Sequence, residues 1–169
     1  MPAVHQLVRV RGAEAMHAAV MQHAGDADVV VMAAAVADYT PAVVADQKVV
    51  KSDGDLTVVL KRTPDILKSL GERRAASGGP AVLVGFAAET HDVVASARRK
   101  LERKHVDLIV ANDVSRTDAG FDVDTNEVTL VSQTGADAVP LQSKAGIAAV
   151  ILDRVEQLLL ERRAAAPNA

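Results

Sequence analysis

MAAAVADYTP, residues 32–41, is the stretch on which the reading of this chain turns. It follows VVV at 29–31, so β-branched residues pass into small ones, then an acid, an aromatic and a proline. The continuous apolar run 29–34 predicts a strand covered on both faces, as in a parallel sheet. Small side chains at the carboxyl end of such a strand let a ligand come close to the backbone, and open α/β sheets bind ligands there. Lys48 stands seven residues beyond Pro41 and is the first basic residue after Arg11. A lysine near that strand end suits an anion.

The pattern alternates on either side. Segment 5–10 predicts a short strand, and 13–23 a helix with Met16, Ala19, Val20 and His23 at helical spacing. Segment 55–62 alternates in polarity, as an antiparallel or edge strand would. Thr63, Pro64 and Asp65 predict a helix start, with Thr63 as N-cap and Pro64 at the first position, and the helix ends near Arg74. Segments 81–87 and 107–113 read as further buried strands around a helix over 91–104. Segments 127–132 and 136–141 predict a hairpin about Thr134 and Gly135. A last helix, 144–162, carries Ile147, Val150, Ile151, Val155, Leu158 and Leu159 on one face, with Ser143 as cap, and the tail beyond it frays. The predicted class is α/β: a Rossmann-like, mostly parallel sheet with flanking helices and a C-terminal β-hairpin plus helix, in a single domain over 1–169. Sheets of this kind normally open with a Gly-rich turn into the first helix. Here the first glycine is Gly12, without a phosphate-loop pattern, so the domain starts one β-α unit late.

Composition narrows the function classes. The 169 residues are 49% hydrophobic and 24% charged, which is globular rather than disordered. No apolar run approaches the ~18 residues of a membrane span, and MPAVHQLVRV has no signal-peptide pattern. The absence of cysteine excludes disulfides, thiolate catalysis and cysteine-ligated metals, and fits a cytoplasmic protein. A net charge of −3 with 2% aromatics speaks against nucleic-acid binding. Asp122, Asp124 and Asn126 imitate the start of a calcium loop, but Glu127 and Gln133 stand where Gly and Glu are needed. His5, His17, His23, His91 and His105 lack ligand spacing. Tyr39 lacks a lysine at position 43, and no GxGxxG or GxxxxGK[ST] occurs, so a dinucleotide oxidoreductase has no support.

Four stretches remain that could carry chemistry. Lys48 and Lys51 lie in DQKVVKSDGD, where they either stabilise charge on a phosphate or oxyanion or are simply solvated. Arg99 with Arg103, and Lys100 with Lys104, form i,i+4 like-charge pairs, unfavourable in an isolated helix and favourable around a polyphosphate. A basic solvated face is the plain alternative. Gly85-Phe86-Ala87-Ala88-Glu89-Thr90 and Ala111-Asn112-Asp113 repeat the strand-end pattern, with Phe86 as core by default or as a lid on a flat ring.

AAAVADYTP (33–41), KVVK (48–51), RTPDIL (62–67), VGFAAET (84–90), ARRKLERKHVDLIVANDVS (97–115) and GFDVDTNEV (120–128) together resemble the phosphopantothenoylcysteine synthetase (phosphopantothenate–cysteine ligase) family. In many bacteria that family is the C-terminal half of a bifunctional coenzyme A biosynthesis protein. The match reaches from about residue 29 to the last helix. The resemblance implies a homodimer that uses CTP and Mg²⁺, with no flavin site in this chain. It implies that the carboxylate of 4'-phosphopantothenate is activated as an acyl-cytidylate and that the amine of cysteine then displaces CMP. Met32, Ala33, Ala34 and Asp38 match the family's nucleotide-contacting strand end and its acid. Lys48 matches the lysine of the activation step. Pro64, Asp65, Ile66, Leu67, Phe86, Lys100 and Lys104 match further CTP-contacting positions, and no metal ligand is assigned.

Two departures stand out. The family's K-I-K-K is Lys48-Val49-Val50-Lys51 here, one lysine fewer for the phosphates. The family's opening segment, a Gly-Gly-Thr turn and an Asn-containing Ser-Ser-Gly stretch, has no counterpart. The resemblance therefore implies a domain truncated at its N-terminus with impaired activity. The alternative is a non-catalytic nucleotide-binding or dimerisation module of the same fold.

Overall fold

The computed structural model describes residues 4–50, 53–114 and 124–165. Lys51, Asp122, most of the first half of 120–128, Ser115 and the end of the tail lie outside the described residues. In chain order come α1 (Ala13–His23), a short 3₁₀ turn (Ala24–Asp26), β1 (Val29–Met32), β2 (Tyr39–Pro41), β3 (Leu60–Arg62) and α2 (Ile66–Ser77). They are followed by β4 (Val82–Glu89), α3 (Val93–Lys104), β5 (Leu108–Asp113), β6 (Thr125–Ser132), β7 (Ala136–Ser143) and α4 (Lys144–Ala165).

The main sheet has the order β1-β4-β5-β6-β7, and β2 and β3 form a separate ribbon. β1, β4 and β5 pair in parallel, while β6 and β7 are added antiparallel as a hairpin. Four of the five strands (β1, β4, β5 and β7) therefore point the same way, which is the mostly parallel α/β sheet expected. Side chains alternate across a strand, and β4 and β5 follow that rule closely. Leu83, Ala87, Ile109 and Ala111 enter one core with α2 and α3, while Val82, Val84, Leu108 and Val110 enter another with α4. Each fully buried Val or Leu contributes on the order of 1.5–3 kcal/mol, so these two strands are the spine of the molecule. Ile147, Ile151 and Val155 are the buried face of α4, and Ser143 Oγ accepts from Gly146 N–H at 3.1 Å as its cap.

Several expectations need correction. Segment 5–10 is not a strand: it has strand composition but no ladder partner, and Leu7, Val8 and Val10 stay 40–53% exposed. β1 is shorter than 29–34 and its two faces are only partly covered: Val30 and Met32 pack against the α2/α3 core and Val29 against the α4 core, while Val31 stays exposed and the strand lies at the sheet edge. The antiparallel strand expected over 55–62 is reduced to Leu60–Arg62, since its partner is only Tyr39–Pro41. The N-cap of α2 is Asp65, whose Oδ1 accepts from Lys68 N–H at 3.1 Å. Thr63 instead donates its hydroxyl to Ala37 O at 2.6 Å, fastening the start of α2 to the loop after β1. α2 runs on past Arg74 to Ser77 and stops at Gly78, whose φ of 78° suits glycine. α3 starts at Val93 rather than at 91. Among the described residues no helix is long and apolar enough to cross a membrane.

Candidate functional site

At the carboxyl ends of β1, β4 and β5 the two faces of the sheet differ in chemistry. On the α2/α3 face lies a charged cavity of about 480 Å³. Asp38, just before β2, joins Tyr39 and Arg62 of the β2–β3 ribbon; the N-cap Asp65 and Lys68 come from the start of α2, and α3 lends Lys100, Arg103 and Lys104. Its five cations outnumber its two carboxylates, so the cavity attracts anions.

The lysines are held by acids from other elements. Lys100 Nζ sits 2.6 Å from Glu89 Oε1, an ion pair whose alignment falls short of a hydrogen bond. Lys104 Nζ donates to Asp65 Oδ1 at 3.0 Å, the same oxygen that caps α2. Both pairs are partly buried, and the buried Glu89 Oε1 depends on Lys100 for its counter-charge. Their effect is positional: each carboxylate relieves the i,i+4 repulsion along α3 and aims an ammonium at the cavity. An anionic ligand would engage the donors that remain. Arg62 lies over the Tyr39 ring at 5.8 Å, which places its cation at the cavity wall.

On the α4 face a cavity of about 440 Å³ is mainly apolar. Ala33, Ala34 and Ala35 line it beyond β1, with Phe86 and Ala88 from β4 and Ile147 from α4. Asn112 and Asn126 are among its polar groups.

The residues singled out by the sequence divide between these places. Asp38, Asp65, Lys100 and Lys104 meet in the charged cavity. Ala33, Ala34 and Phe86 line the apolar one, and Phe86 is 40% exposed rather than core. Met32 packs half-buried against the α2/α3 core. Ile66 and Leu67 have buried side chains, so a ligand could meet them only through the free N–H groups of the first turn of α2. Pro64 precedes that cap and lines neither cavity. Lys48 is exposed and also lines neither. Sequence reasoning missed Arg62, Lys68 and the tethering role of Glu89. Arg62 sits beside Thr63-Pro64-Asp65, and that basic residue before a helix start was the available signal.

Among the described residues no group of three or more His, Cys, Asp or Glu could hold a metal ion. Mg²⁺ is commonly bound by one or two carboxylates plus substrate phosphates. Asp38, on the wall of the charged cavity, fits that lesser demand.

The family described as "DNA/pantothenate metabolism flavoprotein C-terminal domain" matches residues 1–159. The chain is 45% identical over 154 residues to the coenzyme A biosynthesis bifunctional protein CoaBC of Bacillus subtilis, covering 90% of this chain and 37% of that protein. It is 42% identical over 166 residues to CoaBC of Mycobacterium bovis, covering 94% of this chain and 40% of that protein. It thus spans about two fifths of the length of these curated relatives. The crystal structure of the C-terminal domain of a CoaBC superposes with a TM-score of 0.71 at 37% identity, covering 91% of this chain and 66% of that one. With its α/β sheet and its cavities at the strand ends, the chain belongs to the DNA/pantothenate metabolism flavoprotein C-terminal domain family, the C-terminal domain of the bifunctional coenzyme A biosynthesis proteins.

Proposed function

We propose that this chain is the nucleotide-binding part of a phosphopantothenate–cysteine ligase, in which CTP occupies the charged cavity. The observation that carries this is the convergence of Lys100, Lys104, Arg62, Arg103 and Lys68 on one space at the carboxyl end of a parallel sheet. Kinship with the CoaBC proteins supports a place in coenzyme A biosynthesis, and the reaction proposed is the one the family resemblance implies. An oxygen of the 4'-phosphopantothenate carboxylate attacks the α-phosphorus of CTP, and the bond to pyrophosphate breaks. The cysteine nitrogen then attacks the acyl carbon, loses a proton and expels CMP. A carboxylate is a poor electrophile until it carries such a leaving group. The chain's part is to hold the reactants and to neutralise phosphate charge, which fixed cations do without chemistry of their own. Lys100 and Lys104 would carry the phosphate charge, Lys48 would serve the activation step, and Asp38 would meet Mg²⁺ brought in on CTP. Mg²⁺, when bound, supplies further charge neutralisation.

The same reading makes the protein a homodimer in the cytoplasm, possessing in its longer parent a phosphopantothenoylcysteine decarboxylase portion. Supporting dimerisation, Val43, Val44 and Val50 are each at least 80% exposed in the segment between β2 and β3. Isothermal titration with CTP and Mg²⁺ tests the reading: saturable heat, weaker for ATP, is expected. No heat, or a preference for ATP, would overturn it. CTP binding without formation of phosphopantothenoylcysteine is the outcome that a non-catalytic nucleotide-binding module would give.

A further inference from the structure

We infer that Arg99 and Arg103 form an entry path along the outer side of α3, over which a polyphosphate reaches the charged cavity. On this path Arg99 sets how fast the anion arrives rather than how tightly it is held. This rests on the reading above, in which that cavity takes a nucleoside triphosphate.

The first observation is how α3 distributes its charge. Residues four apart in a helix lie one above the other, so α3 carries four stripes. Ala97 and Leu101 are the buried one. Next round the helix come Lys100 with Lys104, then Arg99 with Arg103, then Arg98 with Glu102 on the flank away from the lysines. Two of these stripes are pairs of like charge, and only one is relieved. Lys100 and Lys104 each meet a carboxylate, from Glu89 and Asp65. Among the described residues Arg99 and Arg103 are in no ion pair, and Glu102, beside both, closes on neither. An unrelieved pair at this spacing works against the helix. An anion passing between the two guanidinium groups is what would relieve it.

The second observation is placement. Arg103 lines the charged cavity, while Arg99, exposed and one turn earlier, lines neither cavity. The stripe therefore leads from open solvent to the cavity wall. A guanidinium is always charged, is more weakly hydrated than an ammonium and matches phosphate geometry, so it suits a contact that must form and break quickly.

The third observation is contrast with the rest of the chain. α3 holds five bases and one acid, whereas the whole chain has a net charge of −3. On an acidic protein, a stripe of one sign beside a cleft concentrates the field along it and speeds the arrival of an anion. Charges at the rim act on association and fade with salt, whereas those that touch the bound ligand act on its release. Arg99 is of the first kind, and Lys100 and Lys104 are of the second.

The test follows the phosphorus resonances of CTP with Mg²⁺ as it exchanges on and off the protein, which report association and dissociation rates separately. At low ionic strength Arg99→Gln should slow association about threefold and leave dissociation unchanged. At ~1 M salt, where the screening length is only ~3 Å, the difference should vanish. Arg98→Gln makes the same change in net charge on the other flank and should have less than half that effect, and Arg99→Lys should restore the rate. Because Arg99→Gln removes a repulsion, its melting temperature should not fall. An unchanged association rate, equal slowing by Arg98→Gln, or a change confined to dissociation would overturn the inference. Heat in the CTP titration with no effect of Arg99→Gln on association removes the path and leaves the nucleotide reading standing. No heat with CTP removes that reading instead, and inorganic triphosphate, followed by its own phosphorus resonances in the same variants, then decides the path by the same comparison.

Discussion

Lys100 and Lys104 show how much a residue's partners decide. Both were visible as one side of a basic helix, equally readable as a solvated face. The structure separates them from Arg99, which lines neither cavity, and ties each to its own carboxylate. Hydrogen bonds to charged groups contribute about 1.5–3 kcal/mol, so Lys100→Gln should weaken CTP binding by at least tenfold in titration; because it also strips the counter-charge from the buried Glu89 carboxylate, it should lower the melting temperature measurably. Lys48 makes a different prediction. It lines neither cavity, so Lys48→Gln should leave CTP affinity close to wild type and slow acyl-cytidylate formation in the full-length ligase. An unchanged rate of that step would remove Lys48 from the mechanism. Glu89 was legible only as a polar residue at a strand end, because nothing in one strand says which helix lysine will stand opposite it.

At the scale of elements, α2 and α3, which both wall the charged cavity, approach each other closely at Gly71. A Cβ at Gly71 in α2 would lie 1.9 Å from the backbone oxygen of Lys104, so only glycine admits this contact. Gly71→Ala must push α2 off the end of α3, and we expect a loss of about 3 kcal/mol, a fall of roughly 6–12 °C in thermal melting. At the opposite end of the sheet Asp107, 8% exposed, joins Arg74 at 2.5 Å, Leu83 N–H at 2.7 Å and Arg162. This clamp ties α2, α4 and the starts of β4 and β5 together, away from the ligand sites. Asp107→Ala strips the counter-charge from the mostly buried Arg74, which keeps its bond to His105 O, and leaves the Leu83 amide unpaired, and should cost on the order of 3 kcal/mol. Arg162→Ala should cost less, since Arg162 is half-exposed. Denaturant titration ranks the two, and both should leave CTP affinity intact. Element types were readable from periodicity because α4, β4 and β5 bury continuous faces. Segment 5–10 and most of 55–62 were misread because a strand needs a partner as well as a pattern.

At the scale of the whole molecule, the segment between β2 and β3 carries exposed valines that a solvated loop does not need, among them Val43 and Val50 at 83% each. If it is the dimer contact, sedimentation velocity should find a dimer that Val43→Asp with Val50→Asp converts to monomer. A wild-type monomer would end that reading. The sequence by itself determined the α/β alternation, the C-terminal hairpin and helix, and the family, because buried periodicity and motif order survive without coordinates. It also marked 32–41 as a ligand-bearing strand end. Only the tertiary structure decided that this end serves two cavities of opposite character. Adjacent residues of a strand point to opposite faces, and which face becomes charged depends on which helix packs there. In β4, Phe86 lines the apolar cavity while Glu89 meets Lys100 of the charged one, a division of faces that the strand's sequence does not assign to either helix.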